Sequence, residues 1–204
     1  AERVNDRLAN ETAGPVVLGE LTRVLFQEEG LRGNDAAYYD PRNSFLNDVL
    51  DRKLGIPISL GVVVLEVGRR LGLPLEGVGF PAHFLVRYRG EAVSLLIDPF
   101  DAGHIRFEDQ AQELLDRAYG GTVRVKPEFL RPVNRREILE RMLRNLKSIY
   151  LNAKEDFRAL GVIELLLELK PDARAEVRDR GIMLARVGRY DEAIEQLEQY
   201  LDVA

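Results

Sequence analysis

The sequence predicts an α+β fold in which an antiparallel sheet packs on one buried helix, followed by an all-helical tail. Three observations predict it. Residues 59–71 carry Leu60, Val62, Val63, Val64, Leu65, Val67 and Leu71 around most of a helical circumference, so this helix is enclosed on nearly all sides. Short apolar runs rich in β-branched and aromatic residues follow at 78–80, 84–88 and 93–97, with Arg89, Gly90 and Glu91 as a hairpin turn between the last two. From about Asn134 onward every segment has helical spacing.

The elements follow in order. Val16, Val17, Leu18, Leu21, Val24, Leu25 and Phe26 recur at helical spacing, and Gly30 and Gly33 punctuate the loop after them. A second helix has Asn43 or Ser44 as its cap and Phe45, Leu46, Val49, Leu50 and Leu54 as its apolar face; Gly55 and Pro57 end it. Gly72, Leu73 and Pro74 stop the buried helix. Residues 98–103 read as a loop, 108–119 as a helix, and Pro127 and Pro132 mark a connection. The expected boundaries are a core at 1–133 and a tail at 134–204.

The tail repeats itself. Leu143, Leu146, Tyr150, Ala159, Ile163, Leu166 and Pro171 have the spacing of a tetratricopeptide unit, and Val177, Gly181, Leu184, Ala193, Leu197 and Tyr200 continue that register 34 residues later. Ala159 and Ala193 are the small residues at which paired helices approach closely. The alternative is an unrelated helical hairpin. Two such units bury their faces on a neighbour, either the preceding domain or helices beyond Ala204.

Composition narrows the function. The net charge is −5, from 29 basic and 34 acidic residues, with no basic stripe, so nucleic acid is a poor partner. No apolar run approaches the ~20 residues of a membrane span. The chain has no cysteine, which removes disulfides, thiolate metal sites and thiol catalysis and is compatible with a cytoplasmic protein. No glycine-rich phosphate loop is present; Gly77, Val78 and Gly79 are too short a set and precede no helix.

Several motifs together resemble one bacterial family: Leu31-Arg32-Gly33-Asn34, the run from Tyr38 through Asn47, Gly55-Ile56-Pro57-Ile58-Ser59-Leu60, Gly79-Phe80-Pro81-Ala82-His83-Phe84-Leu85-Val86-Arg87, and Ile97-Asp98-Pro99-Phe100. The chain is similar to the SirB-type proteins, a transglutaminase-like core followed by tetratricopeptide repeats. The resemblance implies a papain-like (cysteine-proteinase) order of parts. A cysteine begins a buried helix, a histidine starts the next strand, and an aspartate ends the strand after it. It also implies helix ahead of Ala1, and so a truncated start. In this architecture the helix N-terminus lowers the thiol pKa, histidine takes the proton, and the carboxylate fixes the tautomer. His83 and Asp98 match the second and third parts. Counting back from Gly72-Leu73-Pro74 without gaps puts the first part at Pro57, and a shift of two residues puts it at Ser59.

Each candidate has two readings. Ser59 is a nucleophile activated by His83, or a residue whose hydroxyl caps its helix. His83 is a general base or ligand anchor, or a half-buried histidine paired with Asp98. Asp98 orients the imidazole, or forms an ordinary turn at a strand end. Asp101 and His104 could join His83 and Asp98 in a metal site, but no recognisable ligand spacing supports one. Arg32, Asn34, Tyr38, Tyr39, Arg42, Asn43 and Asn47 line a cleft or pin their loop, and structural roles are expected for most. The expected function is a non-catalytic interaction protein without cofactor, whose tail binds a protein or peptide. The alternative is a serine-dependent amide hydrolase or acyltransferase using Ser59, His83 and Asp98.

Overall fold

The computed structural model describes residues 1–8 and 13–202. The chain divides into two compact units, Ala1–Tyr38 with Arg42–Asn134, and Tyr39–Pro41 with Arg135–Ala204.

The first unit opens with α1 (Glu2–Leu8) and α2 (Gly14–Thr22), which runs on into a π-helical segment, Arg23–Glu28. Val24, Leu25 and Phe26 are consecutive and all buried. A π turn rotates less per residue than an α turn, so three successive apolar side chains share the inward side. Phe26 lies against Gly103, where a Cβ would overlap its ring and where φ is +72°. Glycine is therefore needed there for both space and backbone conformation.

Two short strands follow, β1 (Arg32–Gly33) and β2 (Leu54–Gly55), paired in parallel, with α3 (Leu46–Arg52) between them. α3 starts on Phe45 with no side-chain cap, because the Asn43 amide is engaged elsewhere, as described below. The buried helix is α4 (Pro57–Arg70). It begins two residues ahead of the expected Ser59: Pro57 takes the first helical position, where its missing N–H costs nothing and its fixed φ already suits the helix.

A five-stranded antiparallel sheet follows, made of β3 (Leu75–Val78), β4 (Leu85–Arg89), β5 (Ser94–Asp98), β6 (His104–Phe107) and β7 (Pro132–Val133), in the order β6-β5-β4-β3-β7. α4 covers one face, where Gly61 lets the Phe84 ring approach and Gly68 admits Leu75. α5 (Ala111–Tyr119) and the connection after it cover the other: Val78, Leu85 and Leu96 pack with Ala111 and Leu115, and Val123, Phe129 and Leu130 close over them. β6 lies between the loop expected at 98–103 and the helix expected at 108–119, where no strand was expected. Its inward position is Arg106, 7% exposed with its guanidinium on Asp101, and a charged residue there hides the apolar alternation. β7 is an edge strand, the place in a sheet where proline is tolerated.

The second unit is a run of helices, α6 (Arg135–Asn152), α7 (Asp156–Leu169), α8 (Arg174–Arg186) and α9 (Tyr190–Asp202). Leu143, Leu146, Tyr150, Ile163, Leu166, Met183 and Leu184 form its core, and Ala159 and Ala193 are buried with them. The register of the first repeat thus marks buried positions except at the exposed Pro171, and that of the second repeat does so at Gly181, Leu184 and Ala193, while Val177, Leu197 and Tyr200 are half-buried. One ionic group is also enclosed: Lys147 of α6 donates to Glu176 and Asp179 of α8. No helix among the described residues is long and apolar enough to cross a membrane.

Candidate functional site

The antiparallel register pairs Val86 with Ile97, which brings the start of β4 to the end of β5. His83 precedes β4 in a tight turn, with Ala82 at φ 55° and the His83 N–H bonded to the Phe80 carbonyl. Asp98 closes β5. The two side chains meet, His83 Nε2 lying 2.7 Å from Asp98 Oδ1. The same oxygen accepts the backbone N–H groups of Phe100 and Asp101, each at 3.1 Å. An ionised Asp98 makes Nε2 the donor, so in a neutral ring the lone pair lies on Nδ1.

Asp98 is 3% exposed. Burial opposes its ionisation, but the hydrogen bond and charge of His83 and the Asp101 and Phe100 N–H groups outweigh burial and hold the carboxyl below its ordinary value. Because the folded-state value is the lower one, the ionised group stabilises the fold above the ordinary carboxyl range, and this contribution is lost as pH falls from that range through the lower folded-state value. Urea midpoints measured from about pH 5 down to pH 2 are expected to fall less steeply for Asp98→Asn than for the wild type. Equal slopes would show that Asp98 is not held low.

Phe100 stacks edge-on to His83 and to Tyr38, with ring centroids 6.2 and 5.9 Å away. Gly33 of β1 backs that ring, and a Cβ there would come within 2.6 Å of it. The paired strands and the loop after β5 therefore hold one aromatic wall beside the imidazole.

Ser59 lies elsewhere in its bonding. It is the third residue of α4 and is fully buried. Its hydroxyl donates to the Asn43 carbonyl at 2.6 Å and accepts the Ile56 N–H at 3.1 Å, with the Ile56 carbonyl also 3.1 Å away. All these partners are main chain, and among the described residues no hydrogen bond joins Ser59 to His83. Pro57 occupies the first helical position, which offers neither hydroxyl nor thiol.

The Asn43 carbonyl belongs to a buried network. Asn43 Nδ2 donates to the carbonyls of Ala37 and Tyr38, its Oδ1 accepts from Asn34 Nδ2, and Asn34 Oδ1 accepts the Ala37 N–H. Asn34 and Asn43 thus pin the loop, whereas Arg32, Tyr39, Arg42 and Asn47 are exposed. Asp101 is taken by Arg106, and His104 is exposed on β6. Among the described residues no group of three His, Asp or Glu side chains is arranged to hold a metal ion.

A helix N-terminus, a histidine and an aspartate in this order on a sheet, continued by paired helices, define a transglutaminase-like core with a tetratricopeptide tail. The transglutaminase-like superfamily profile matches residues 1–144 and a tetratricopeptide repeat profile matches residues 146–204. The chain belongs to the transglutaminase-like superfamily and, within it, to the SirB-type family whose relatives carry the name UPF0162 protein. It is 43% identical over 195 residues to the UPF0162 protein of Xylella fastidiosa Temecula1, covering 93% of this chain and 68% of that one. It is 35% identical over 182 residues to the UPF0162 protein of Vibrio cholerae, covering 88% and 67%. It is also 35% identical over 135 residues to mouse F-box only protein 21, covering 65% of this chain and 22% of that protein. No solved structure matches the chain.

Proposed function

We propose that the protein is a non-catalytic interaction protein of the cytoplasm. Its transglutaminase-like core serves as a scaffold, and its repeats carry the binding surface for a protein or peptide. One observation carries this reading: the Ser59 hydroxyl is committed to the main chain on both its donor and acceptor sides, and the position two residues earlier is proline. A nucleophile needs its hydroxyl aimed at a base. Tetratricopeptide repeats generally mediate protein–protein interaction, which supports the assignment of the tail. The likeness to part of a much longer protein, F-box only protein 21, supports the core as a transferable module.

The competing reading is a serine-dependent amide hydrolase or acyltransferase. The His83–Asp98 pair favours it, since it keeps the base and its orienting carboxylate. The two readings separate in the cell. Proximity labelling from the full-length protein is expected to enrich a reproducible protein partner whose recovery is unchanged by His83→Ala. A survey that recovers no partner would count against the scaffold reading.

A further inference from the structure

We infer that α7 pairs with the α7 of a second copy of this chain, the two helices crossing antiparallel at Gly161. Phe157, Gly161 and Leu165 lie four residues apart and so form one ridge along α7. The two large side chains are 75% and 47% exposed, and Gly161 is exposed between them. Single exposed apolar residues are ordinary on a surface, but this ridge also has a gap at its centre.

Inside a helix, glycine is the least favourable residue after proline. Other helical glycines of the chain have a use that offsets this. Gly61 makes room for Phe84, Gly68 for Leu75 and Gly181 for Leu197. At Gly161, apart from its own helix backbone and chain neighbours, no atom of the described residues lies within 4 Å of the place a Cβ would take. The chain's own packing therefore gains nothing from the missing side chain. A gap in an exposed apolar ridge lets a second helix approach closely, with the flanking large side chains reaching to either side of it.

The charges on the same face select a second copy as that helix. Lys154 and Arg158 stand seven and three residues before Gly161, and Glu164 and Glu168 stand three and seven after it. Helical spacing puts all four on the face centred on Gly161, so one end of the face is basic and the other acidic. An antiparallel two-fold about Gly161 brings Arg158 of one copy level with Glu164 of the other, and Lys154 level with Glu168. It also sets Phe157 of one copy beside Leu165 of the other. A parallel pairing brings like charges level instead, which is unfavourable. A face complementary to itself is what a two-fold dimer requires. Within the chain, Arg158 pairs with Glu155 and Glu164 with Arg180, both at the surface, where such pairs are weak and readily exchanged. One helix crossing buries less area than a permanent dimer needs, so the dimer is weak and depends on concentration.

Sedimentation equilibrium of the full chain, from about 5 to about 500 μM, reads the association. The weight-average mass is expected to rise with concentration from one chain toward two. Gly161→Gln fills the gap. It is expected to raise the thermal midpoint by a few degrees and to weaken self-association at least about tenfold. A glycine that served only the chain's own packing would not give those opposite effects. Arg158→Glu and Glu164→Arg are each expected to weaken self-association as well. An equimolar mixture of those two variants is expected to recover it, because each end of the crossing then sets an acid level with a base. Unaltered circular dichroism shows that the variants are folded. A mass that stays at one chain throughout, association unchanged in Gly161→Gln, or a mixture that associates no better than either variant alone would overturn the inference. A different protein recovered in cells and lost with Gly161→Gln, while the chain itself stays monomeric, would overturn it too and assign the face to that protein.

Discussion

Lys147→Met is expected to destabilise the helical tail by about 3–5 kcal/mol, the cost of breaking a buried ion pair from one side. The ammonium sits between two carboxylates of α8, Glu176 and Asp179, and the three side chains are 12%, 3% and 20% exposed. Burial opposes the charge on Asp179, but the hydrogen bonds from Lys147 and Arg178 outweigh it and hold that carboxyl below its ordinary value. Methionine fills much of the lysine stem's volume, so packing is largely kept and the missing charge dominates. What remains is two acids facing each other across one turn. Arg144 is 3.7 Å from Glu176, and Arg178 is 2.7 Å from Asp179 but about half exposed. Adding Glu176→Gln to the Lys147→Met chain should recover part of the loss, because one of the two uncompensated charges is then gone. Thermal unfolding followed by far-ultraviolet circular dichroism measures both. A single variant as stable as the wild type would mean the group is solvated rather than enclosed.

Asn43→Ala is expected to cost the core about 3–4 kcal/mol, from unmet hydrogen bonds plus a small cavity. Asn43 is fully buried, and its amide supplies two donors and one acceptor to a closed network. Removing it takes the amide donor from the carbonyls of Ala37 and Tyr38 and the acceptor from one buried N–H of Asn34. It also loosens the loop whose main chain accepts the Ser59 hydroxyl. Ser59→Ala removes one hydroxyl from a site where the Ile56 N–H and the Asn43 carbonyl then lack a partner, a smaller loss of about 1–2 kcal/mol. Asn43→Asp should be nearly as damaging as alanine, since an ionised carboxylate turns acceptors toward two carbonyls. Urea unfolding of the three variants gives the order. Asn43→Ala costing less than Ser59→Ala would contradict the network as described.

The parts of the fold that were legible in the sequence are those that repeat or exclude water. The enclosed helix declares itself because Leu60, Val63 and Val64 are apolar and buried while its charged residues, Glu66, Arg69 and Arg70, gather near its C-terminal end, and the tail because its buried residues recur in register. The contact between His83 and Asp98 follows from chain order, since a hairpin brings the start of one strand to the end of the next. Other features leave no local mark. β1 and β2 are two residues each and pair in parallel across a helix, so neither periodicity nor turn chemistry announces them. β6 conceals its inward face behind Arg106. The direction of the Ser59 hydroxyl is set by a carbonyl 16 residues away, at Asn43, and by the start of the helix at Pro57 rather than at the serine. Spacing cannot report an acceptor at that distance. A serine near a helix start is compatible with both a cap and a nucleophile until the partner of its hydroxyl is known.

The central claim, that Ser59 holds the chain together instead of attacking a substrate, is tested most directly by a fluorophosphonate probe applied to the full-length protein, with intact-mass and peptide mass spectrometry as the readout. The account predicts no adduct at Ser59 and no difference between the wild type and Ser59→Ala. An adduct on Ser59 that disappears in both Ser59→Ala and His83→Ala would contradict it and establish a working serine site.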